Sequence, residues 1–410
     1  MSQRLKCADL GKTGGHGKVS GSHGSTVCVL APAPFRTGGI ERLTWDVRAA
    51  LAAAVGDRNV FLGLLVGPEN PEELRGRPEV TYAAGYPLSP AKKLRFGGWT
   101  LSFAGRHRDA ALLCMHPNQA QLAWAARRLF GTRYAVWAHG GEVWSKMQPL
   151  PLKALRGADL VLCSSNFTRD YLVEHQAIAP GRAVTVYPPV TEELLRRASS
   201  ATRTAAQTEP VILSVGRVER GYEYKGFDTV IRALPRIVEW VPGARYVIVG
   251  GGDGLPALRA LARDVGVESR VTFAGRLSEG ELAAAYEEAR VFVMPSRLTL
   301  GRVANGEGFG IVYLEAAAFG RPVVAGNMGG ASEAVVEGVT GHVVDPNDLA
   351  QLGEALASYL RDPTKAARAG EAGRARVRGG FTSARFGDNL AAALAGAGLL
   401  RLAGYGSRRV

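Results

Sequence analysis

At 410 residues the chain is too long for one hydrophobic core of ordinary size, so two domains are expected. With 46% hydrophobic and 21% charged residues it has the makeup of a soluble globular protein, and no 18-residue apolar run offers a transmembrane helix. The net charge of +13 is uneven, since residues 1–190 hold 23 Lys/Arg against 13 Asp/Glu and residues 191–410 hold 27 against 24; a basic first half suits an anionic membrane, a phosphorylated ligand or nucleic acid, or is a solvated surface.

Residues 1–25 carry charge without an apolar stretch, which excludes a signal peptide and predicts a flexible tail. Within them GGHGKV fails as a phosphate loop, because Val19 follows Lys18 and Lys12 stands where the first glycine belongs. Cys7, Cys28, Cys114 and Cys163 are scattered, with no C-x-x-C pair. Three of them sit in apolar runs, which predicts reduced, buried thiols in a cytosolic protein.

Apolar β-type runs then recur at 26–31, 60–66, 80–83, 112–115, 134–138, 159–163 and 184–187. Helical patterns lie between most of them, a βαβ rhythm that predicts a parallel sheet covered on both faces. One intervening piece mixes Lys92, Lys93, Arg95, Phe96, Trp99 and Phe103, with His107 between Arg106 and Arg108. It reads as an interfacial helix on an anionic bilayer, which Gly97-Gly98 weakens, or as an ordinary solvated helix with its apolar face in the core. His116, a lone histidine after a strand, reads equally as structural or as close to an acceptor.

Tyr187-Pro188-Pro189-Val190 breaks the rhythm, and the polar stretch 199–208 follows. This marks a domain boundary. Strands restart at 211–215, 246–249, 271–274, 291–294, 322–325 and 342–344. From Phe227 the apolar positions recur at helical spacing through Val241, with a kink expected at Pro235. Further helices are expected at 256–265, 278–289 and 348–360, and a last one at about 381–402. Two doubly wound α/β domains facing across a cleft follow, with ligands bound beyond the carboxyl ends of the strands.

The stretch EGFGIVYLE (307–315) lies beyond one such strand end. A helix can start near Gly310 and stop at Gly320, which leaves Glu307 on the loop before it and Glu315 inside it. The helix N-terminus suits a phosphate, and Gly308 and Gly310 let one come close. Glu315 can then reach the diol of a ribose, and Glu307 the hydroxyls on the far side. Glu315 stands among Leu314 and Ala316–Ala318, where an unpaired charge is costly, so a polar ligand is expected to satisfy it. Arg217, just past strand 211–215, and Lys225, just before Phe227, place two cations at the same rim, where a diphosphate leaving group would lie.

Gly216-Arg217 with Lys225-Gly226-Phe227, VIVGGGDG (247–254), EGFGIVYLEAAAFGRPVVAGNMGG (307–330) and GVTGHVVDP (338–346) resemble the retaining family 4 glycosyltransferases of the GT-B fold. In the first half, residues 35–42 (FRTGGIER) are similar to that family's glycine loop, Ala138-His139-Gly140 to its histidine at a strand end, and Ser164–Thr168 to a segment near the cleft. Within the family the wording is nearest to mannosyltransferases acting on lipid-linked acceptors.

The resemblance implies an N-terminal acceptor domain over 26–189, a nucleotide-sugar domain over 190–385, and a C-terminal helix within 386–410 that crosses back. It implies that Arg217 and Lys225 hold the donor diphosphate and that Glu315 binds the ribose. Glu307, with the backbone of Gly308, Phe309, Gly310 and Ile311, would hold the hexose. His139 would face the hexose from the other domain, Gly216 would line the donor site, and Gly38 and Gly39 would let a loop close over the phosphates. No D-x-D in a metal context and no His/Cys cluster is found, so neither metal nor cofactor is expected.

The expected reaction moves a hexose from a nucleotide-diphosphate sugar to a glycan or lipid-linked hydroxyl, with retention, in the cytoplasm or at the inner face of the membrane. The base stays open: Glu279 can meet a guanine, and Ser278 leaves uracil available. VGGGDGLPAL lacks the spacing of a nicotinamide fingerprint. A glycosidase pair would need two carboxylates flanking one bond, unlike one at a helix entrance and one inside. A nucleotide-sugar epimerase of the same fold and a basic nucleic-acid-binding protein are the rival readings. The second lacks interleaved stacking aromatics, so no nucleic-acid partner is expected.

Overall fold

The computed structural model describes residues 25–33, 39–75 and 77–401. The glycine loop's Phe35–Gly38, and with it the site assignment of Gly38, lies outside the described residues, as do Cys7 and the tail before residue 25.

Seven strands form the first sheet: β1 (Val27–Ala31), β2 (Val60–Leu64), β3 (Tyr82–Ala83), β4 (Ala111–Cys114), β5 (Arg133–Ala138), β6 (Leu160–Cys163) and β7 (Ala183–Thr185). Their order is β3-β2-β1-β4-β5-β6-β7, all parallel, with Val29 opposite Leu62 and Leu113. Side chains alternate between two apolar layers, as period-two strands require. Cys28 and Leu30 join Phe96, Ala123 and Leu155 on one face, while Val27 and Val29 join Leu43, Val47 and Leu390 on the other. Each fully buried Val, Leu or Phe contributes about 1.5–3 kcal/mol, so helices must cover both faces.

The second sheet contains β8 (Val211–Val215), β9 (Arg245–Val249), β10 (Val271–Gly275), β11 (Val291–Met294), β12 (Val323–Gly326) and β13 (Gly341–Val344). Its order is β10-β9-β8-β11-β12-β13, again parallel. Both sheets reverse direction of winding beside their first strand, at β1/β4 and β8/β11. Crevices at those switch points are where doubly wound sheets take ligands.

The helix Phe227–Trp240 buries Phe227, Val230, Ile231, Leu234 and Ile237 and runs through Pro235. Pro363–Gly380 is a helix that apolar periodicity does not reveal. Its buried face is Ala366, Ala369, Gly370, Gly373 and Val377, small residues that let it lie close to the turn at Gly320.

Two crossovers join the halves. Val190 N–H donates to Phe381 C=O at 2.9 Å, and the Tyr187 ring packs on Phe309 and Phe381. The chain then enters the helix Ser383–Gly396, capped by Thr382, which lays Phe386, Leu390 and Leu394 into the first domain's core. Arg133 of that domain donates to the carbonyls of Ala397 and Gly398 at 2.5 and 2.7 Å, satisfying the end of the returning helix. The helix lies within the 381–402 stretch expected to be helical.

The cation–aromatic segment is a helix, Pro90–Arg106, and its aromatics do not face outward. Phe96 and Phe103 are buried, and Trp99 stacks on Tyr82 at 4.8 Å. The ordinary amphipathic reading holds and the aromatic membrane face does not, because the rings fill the gap between β2/β3 and the helix. Gly63 is what admits Trp99, whose ring a Cβ there would strike. Cys28, Cys114 and Cys163 are buried free thiols.

Candidate active site

The carboxyl ends of β8 and β11 carry the proposed donor groups. After β8 the chain makes Gly216-Arg217, and a short turn at Glu223–Lys225 brings Lys225 back beneath it. Lys225 packs so close to Gly216 that a Cβ there would stand 3.1 Å from the lysine Cδ. Its Nζ then reaches Glu307 Oε2 at 2.8 Å; the two side chains are only 11% and 15% exposed. Arg217 is held by a ring instead, lying over Tyr222 at 4.4 Å. Among the described residues no carboxylate pairs with it, so its charge is available.

Glu307 is positioned by glycines on both sides. Gly308 lies against the His139 carbonyl, which a Cβ at 308 would overlap. Gly310 precedes the helix Ile311–Ala318 at φ +81°, a left-handed turn that favours glycine and leaves the first helical N–H groups without a side-chain cap. Phe309 between them is 3% exposed, and its ring packs into the Tyr187–Phe381 crossover. Ile311 opens the helix.

Glu315 is the fifth residue of that helix and is 2% exposed. A polar ligand is expected to satisfy this carboxylate; the structure supplies two protein partners as well. Arg42, from the first domain's helix Gly39–Val55, donates to its Oε1 at 2.7 Å, and Tyr286 O–H donates to Oε2 at 2.8 Å. Burial works against the Arg42 charge, but Glu315 outweighs it and holds the guanidinium above its ordinary value. Burial and the same carboxylate push Tyr286 up. Arg42 thus ties the helix that begins at Gly39 to the second domain. An added Cβ at Gly39 would meet open space.

His139 follows β5 and faces the second domain through its backbone, while its ring is committed inward. Nε2 lies 2.8 Å from Met115 O, Nδ1 3.3 Å from Ser164 Oγ, and the ring stacks on Trp137. Burial lowers its pKa, which favours the neutral imidazole. His116 caps the turn after β4: its Nδ1 accepts from Asn118 N–H at 3.1 Å.

Between the domains lies a cavity of about 820 Å³ lined by Gly216, Arg217, Gly250, Gly251, Arg276 and Leu277, with Glu41, Gly67 and Tyr86 opposite. The structure therefore brings Gly216, Lys225, Glu307, Gly308 and the His139 backbone into one chain of contacts, with Arg217 beside them on the cavity wall. Glu315 sits apart, within the Arg42–Tyr286 cluster. Glu279, offered for a base edge, is an exposed first residue of the helix Glu279–Glu288 and does not line the cavity; Arg276 and Leu277 do. Arg42 and Tyr286 were not assigned from sequence, although the need of buried Glu315 for a partner was the signal. Among the described residues no cluster of three or more His, Cys, Asp or Glu could hold a metal ion.

Residues 37–194 match the family model described as "Glycosyltransferase Family 4", and residues 196–376 the one described as "Glycosyl transferases group 1". A GDP-mannose-dependent alpha-(1-6)-phosphatidylinositol monomannoside mannosyltransferase of Mycobacterium tuberculosis is 39% identical over 258 residues, which is 60% of this chain and 64% of the relative. The monoacylated-acceptor counterpart of Corynebacterium glutamicum is 35% identical over 251 residues, 58% and 63% of the two chains. The match thus spans just under two thirds of the length of these relatives. Among solved structures, Anabaena HepE in complex with UDP superposes with a TM-score of 0.74 at 18% identity, over 90% of this chain and 100% of that one. A sucrose-phosphate synthase of Thermosynechococcus elongatus superposes at 0.71 and 22% identity, over 89% and 97%.

Proposed function

The chain belongs to the family 4 and group 1 glycosyltransferases and has their GT-B fold, and from that premise we propose that it moves a hexose, mannose from GDP-mannose, to a hydroxyl of a lipid-linked acceptor with retention. One observation carries the reading: Gly216 and Arg217 line the interdomain cavity after β8, and the Lys225–Glu307 pair packs directly against Gly216. The similarity to GDP-mannose-dependent enzymes supports the choice of donor.

In this reading the anomeric C–O bond breaks and its electron pair goes to the diphosphate oxygen. Arg217, Lys225 and the N–H groups at the start of the Glu315 helix stabilise that charge, so no metal is required. Glu307, steadied by Lys225, accepts from the hexose hydroxyls. The acceptor oxygen forms the new bond on the same face and gives its proton to the leaving phosphate. The ribose takes Glu315 in exchange for Arg42. Purified protein, radiolabelled GDP-mannose and a phosphatidylinositol mannoside in detergent test this. Mannosyl transfer that survives EDTA is expected. Failure of GDP, UDP and ADP alike to raise the melting temperature would sink the donor site, and turnover without acceptor would indicate an epimerase.

A peripheral contact with anionic membrane, at the cytoplasmic face, belongs to the same proposal. The helices Pro90–Arg106, Ala120–Phe130 and Pro149–Arg156 pack side by side on one face of the first sheet; together they hold eight Lys/Arg and no Asp/Glu. Leu94, Leu129 and Leu150 are exposed among these cations. Apolar insertion ringed by positive charge suits an anionic bilayer. Among the described residues no helix is long and apolar enough to cross a membrane. Co-sedimentation with phosphatidylcholine vesicles should require added anionic lipid and weaken in Leu94→Gln/Leu129→Gln; equal binding to neutral vesicles would refute it.

A further inference from the structure

Glu333 has no place in the chemistry above, yet it is the most heavily bonded carboxylate between the domains. It is the fifth residue of the turn Gly329–Ala334, after β12 of the second domain. Its Oε1 accepts Phe167 N–H at 2.7 Å, and its Oε2 accepts Asn166 N–H at 2.8 Å and Tyr187 O–H at 2.8 Å. Asn166 and Phe167 are the first two residues of the first domain's helix Asn166–His175, whose own cap, Ser165, takes only the next amide, Thr168. Two orphan donors and the positive end of that helix are therefore satisfied by an acid from the other domain. The bonds are not backed by dense packing. A cavity of about 490 Å³ lies alongside, lined by Asn166, Phe167, Met328 and Glu333 itself.

The acid is braced from behind and coupled to the site in front. Arg376 donates to the carbonyls of Glu333 and Ala334 at 2.8 and 2.7 Å and lies over the Phe381 ring of the crossover. Tyr187 is on the other crossover and packs on Phe309. In front, Gly330 approaches Ser165 so closely that a Cβ would stand 2.9 Å from the serine Cβ, and it would also overlap the Gly308 carbonyl. Gly330 N–H donates to Glu307 C=O at 3.0 Å, and Gly308 in turn abuts His139 C=O. These are contacts without slack, so a small rotation about the crossovers would part the Glu307 loop from β5.

We propose that Glu333 is a positioning residue, the pin about which the two domains turn: by capping helix 166–175 across the cleft it holds the Glu307–Gly308 loop against His139. This rests on the transferase reading only for its kinetic consequence. Arg217, Lys225, Glu307 and Glu315, the side chains proposed above to grip the donor, all belong to the second domain, so the pin governs alignment of the two halves more than donor affinity.

Two readouts test the pin without any substrate. Hydrogen exchange of the Asn166 and Phe167 amides should accelerate about tenfold in Glu333→Ala, as for a lost cap, and less in Glu333→Gln, whose amide oxygen still accepts. Spin labels at Ser102→Cys and Gln351→Cys, one exposed site in each domain, should give a broader and longer distance distribution in Glu333→Ala than in the parent, with Glu333→Gln between. GDP binding, read by calorimetry, should stay within about threefold, and kcat should fall at least about tenfold at nearly constant donor KM, the signature of lost alignment. Unchanged distances and exchange in Glu333→Ala would overturn the pin. So would a parallel loss of GDP binding and of melting temperature, which would mark Glu333 as merely part of the second domain's fold. If no acceptor is ever mannosylated, the transferase reading fails while the exchange and distance data still decide the pin.

Discussion

The Lys225–Glu307 pair permits a test in which stability and turnover part company. At 2.8 Å and an effective dielectric near 20, their attraction is about 6 kcal/mol, most of it offset by the loss of water from two side chains only 11% and 15% exposed. Removing one partner leaves the other charge nearly dry. Lys225→Met and Glu307→Gln should therefore each lower the unfolding free energy of the second domain, by roughly 1–3 kcal/mol for this residual exposure. The double variant should be destabilised by less than the sum of the two, because it leaves no orphan charge. Turnover should behave otherwise. If Lys225 stabilises the departing diphosphate, its loss removes about 3–4 kcal/mol from the transition state, a factor of about 10²–10³, and Glu307→Gln added to it restores nothing. Urea titrations beside kcat/KM for donor separate the two. Recovery of activity in the double variant, or a Lys225→Met enzyme within threefold of the parent, would show that the lysine is there for Glu307 alone.

Three other outcomes follow from single contacts. Gly308→Ala should leave each domain folded but cut turnover at least about tenfold, since the methyl would strike the His139 carbonyl and lift the Glu307 loop; near-normal kinetics would mean the loop has room. Arg42→Ala strips buried Glu315 of its cation and should cost about 3 kcal/mol in urea titrations, against about 1 for Tyr286→Phe; equal small effects would show Glu315 to be better solvated than its 3% side-chain exposure indicates. Asp46 is pushed up to about 6 by burial, against which Arg42 pulls downward. A carboxyl raised in the folded state binds a proton there that the unfolded chain has already lost, so its contribution falls as pH climbs from about 4 to 6. Asp46→Asn should accordingly stabilise at pH 7.5 by up to about 3 kcal/mol and not at all at pH 4, and a gain of equal size at both pH values would refute it.

The strands were legible because a parallel sheet covered on both faces writes itself as short, uninterrupted apolar runs, and Val27–Ala31 and Val291–Met294 are buried along their whole length. Caps marked helix starts for the same local reason: Ser278 and Asp348 each accept from amides of the helix they precede. Legibility stopped where contact is made without apolar bulk. Pro363–Gly380 packs through Ala and Gly, so its periodicity carries almost no hydrophobic contrast. Pro90–Arg106 has contrast, but the sequence cannot say which neighbour covers its aromatics, and Trp99 is covered by Tyr82 of β3.

The same boundary runs through the site. Lys225 and Glu307 lie 82 positions apart, and their meeting was inferable because both flank strand ends that a doubly wound sheet must bring together. Burial of Glu315 was also inferable, from its alanine and leucine neighbours. Its partner was not, because Arg42 stands 273 positions away in the other domain and nothing local distinguishes it from the other arginines of a basic chain. The physical premise, that a dry carboxylate demands compensation, was sound, and the structure meets that demand with Arg42 and Tyr286. Glu333 shows the converse. Its surroundings at Gly329–Ala334 are bland, and its importance arises from two amides 166 and 167 positions earlier whose lack of helical partners is fixed by where another helix begins. Interdomain function in such a chain is therefore hidden less by weak motifs than by the fact that a charge's worth depends on the unsatisfied group it faces, and only the fold brings the two together.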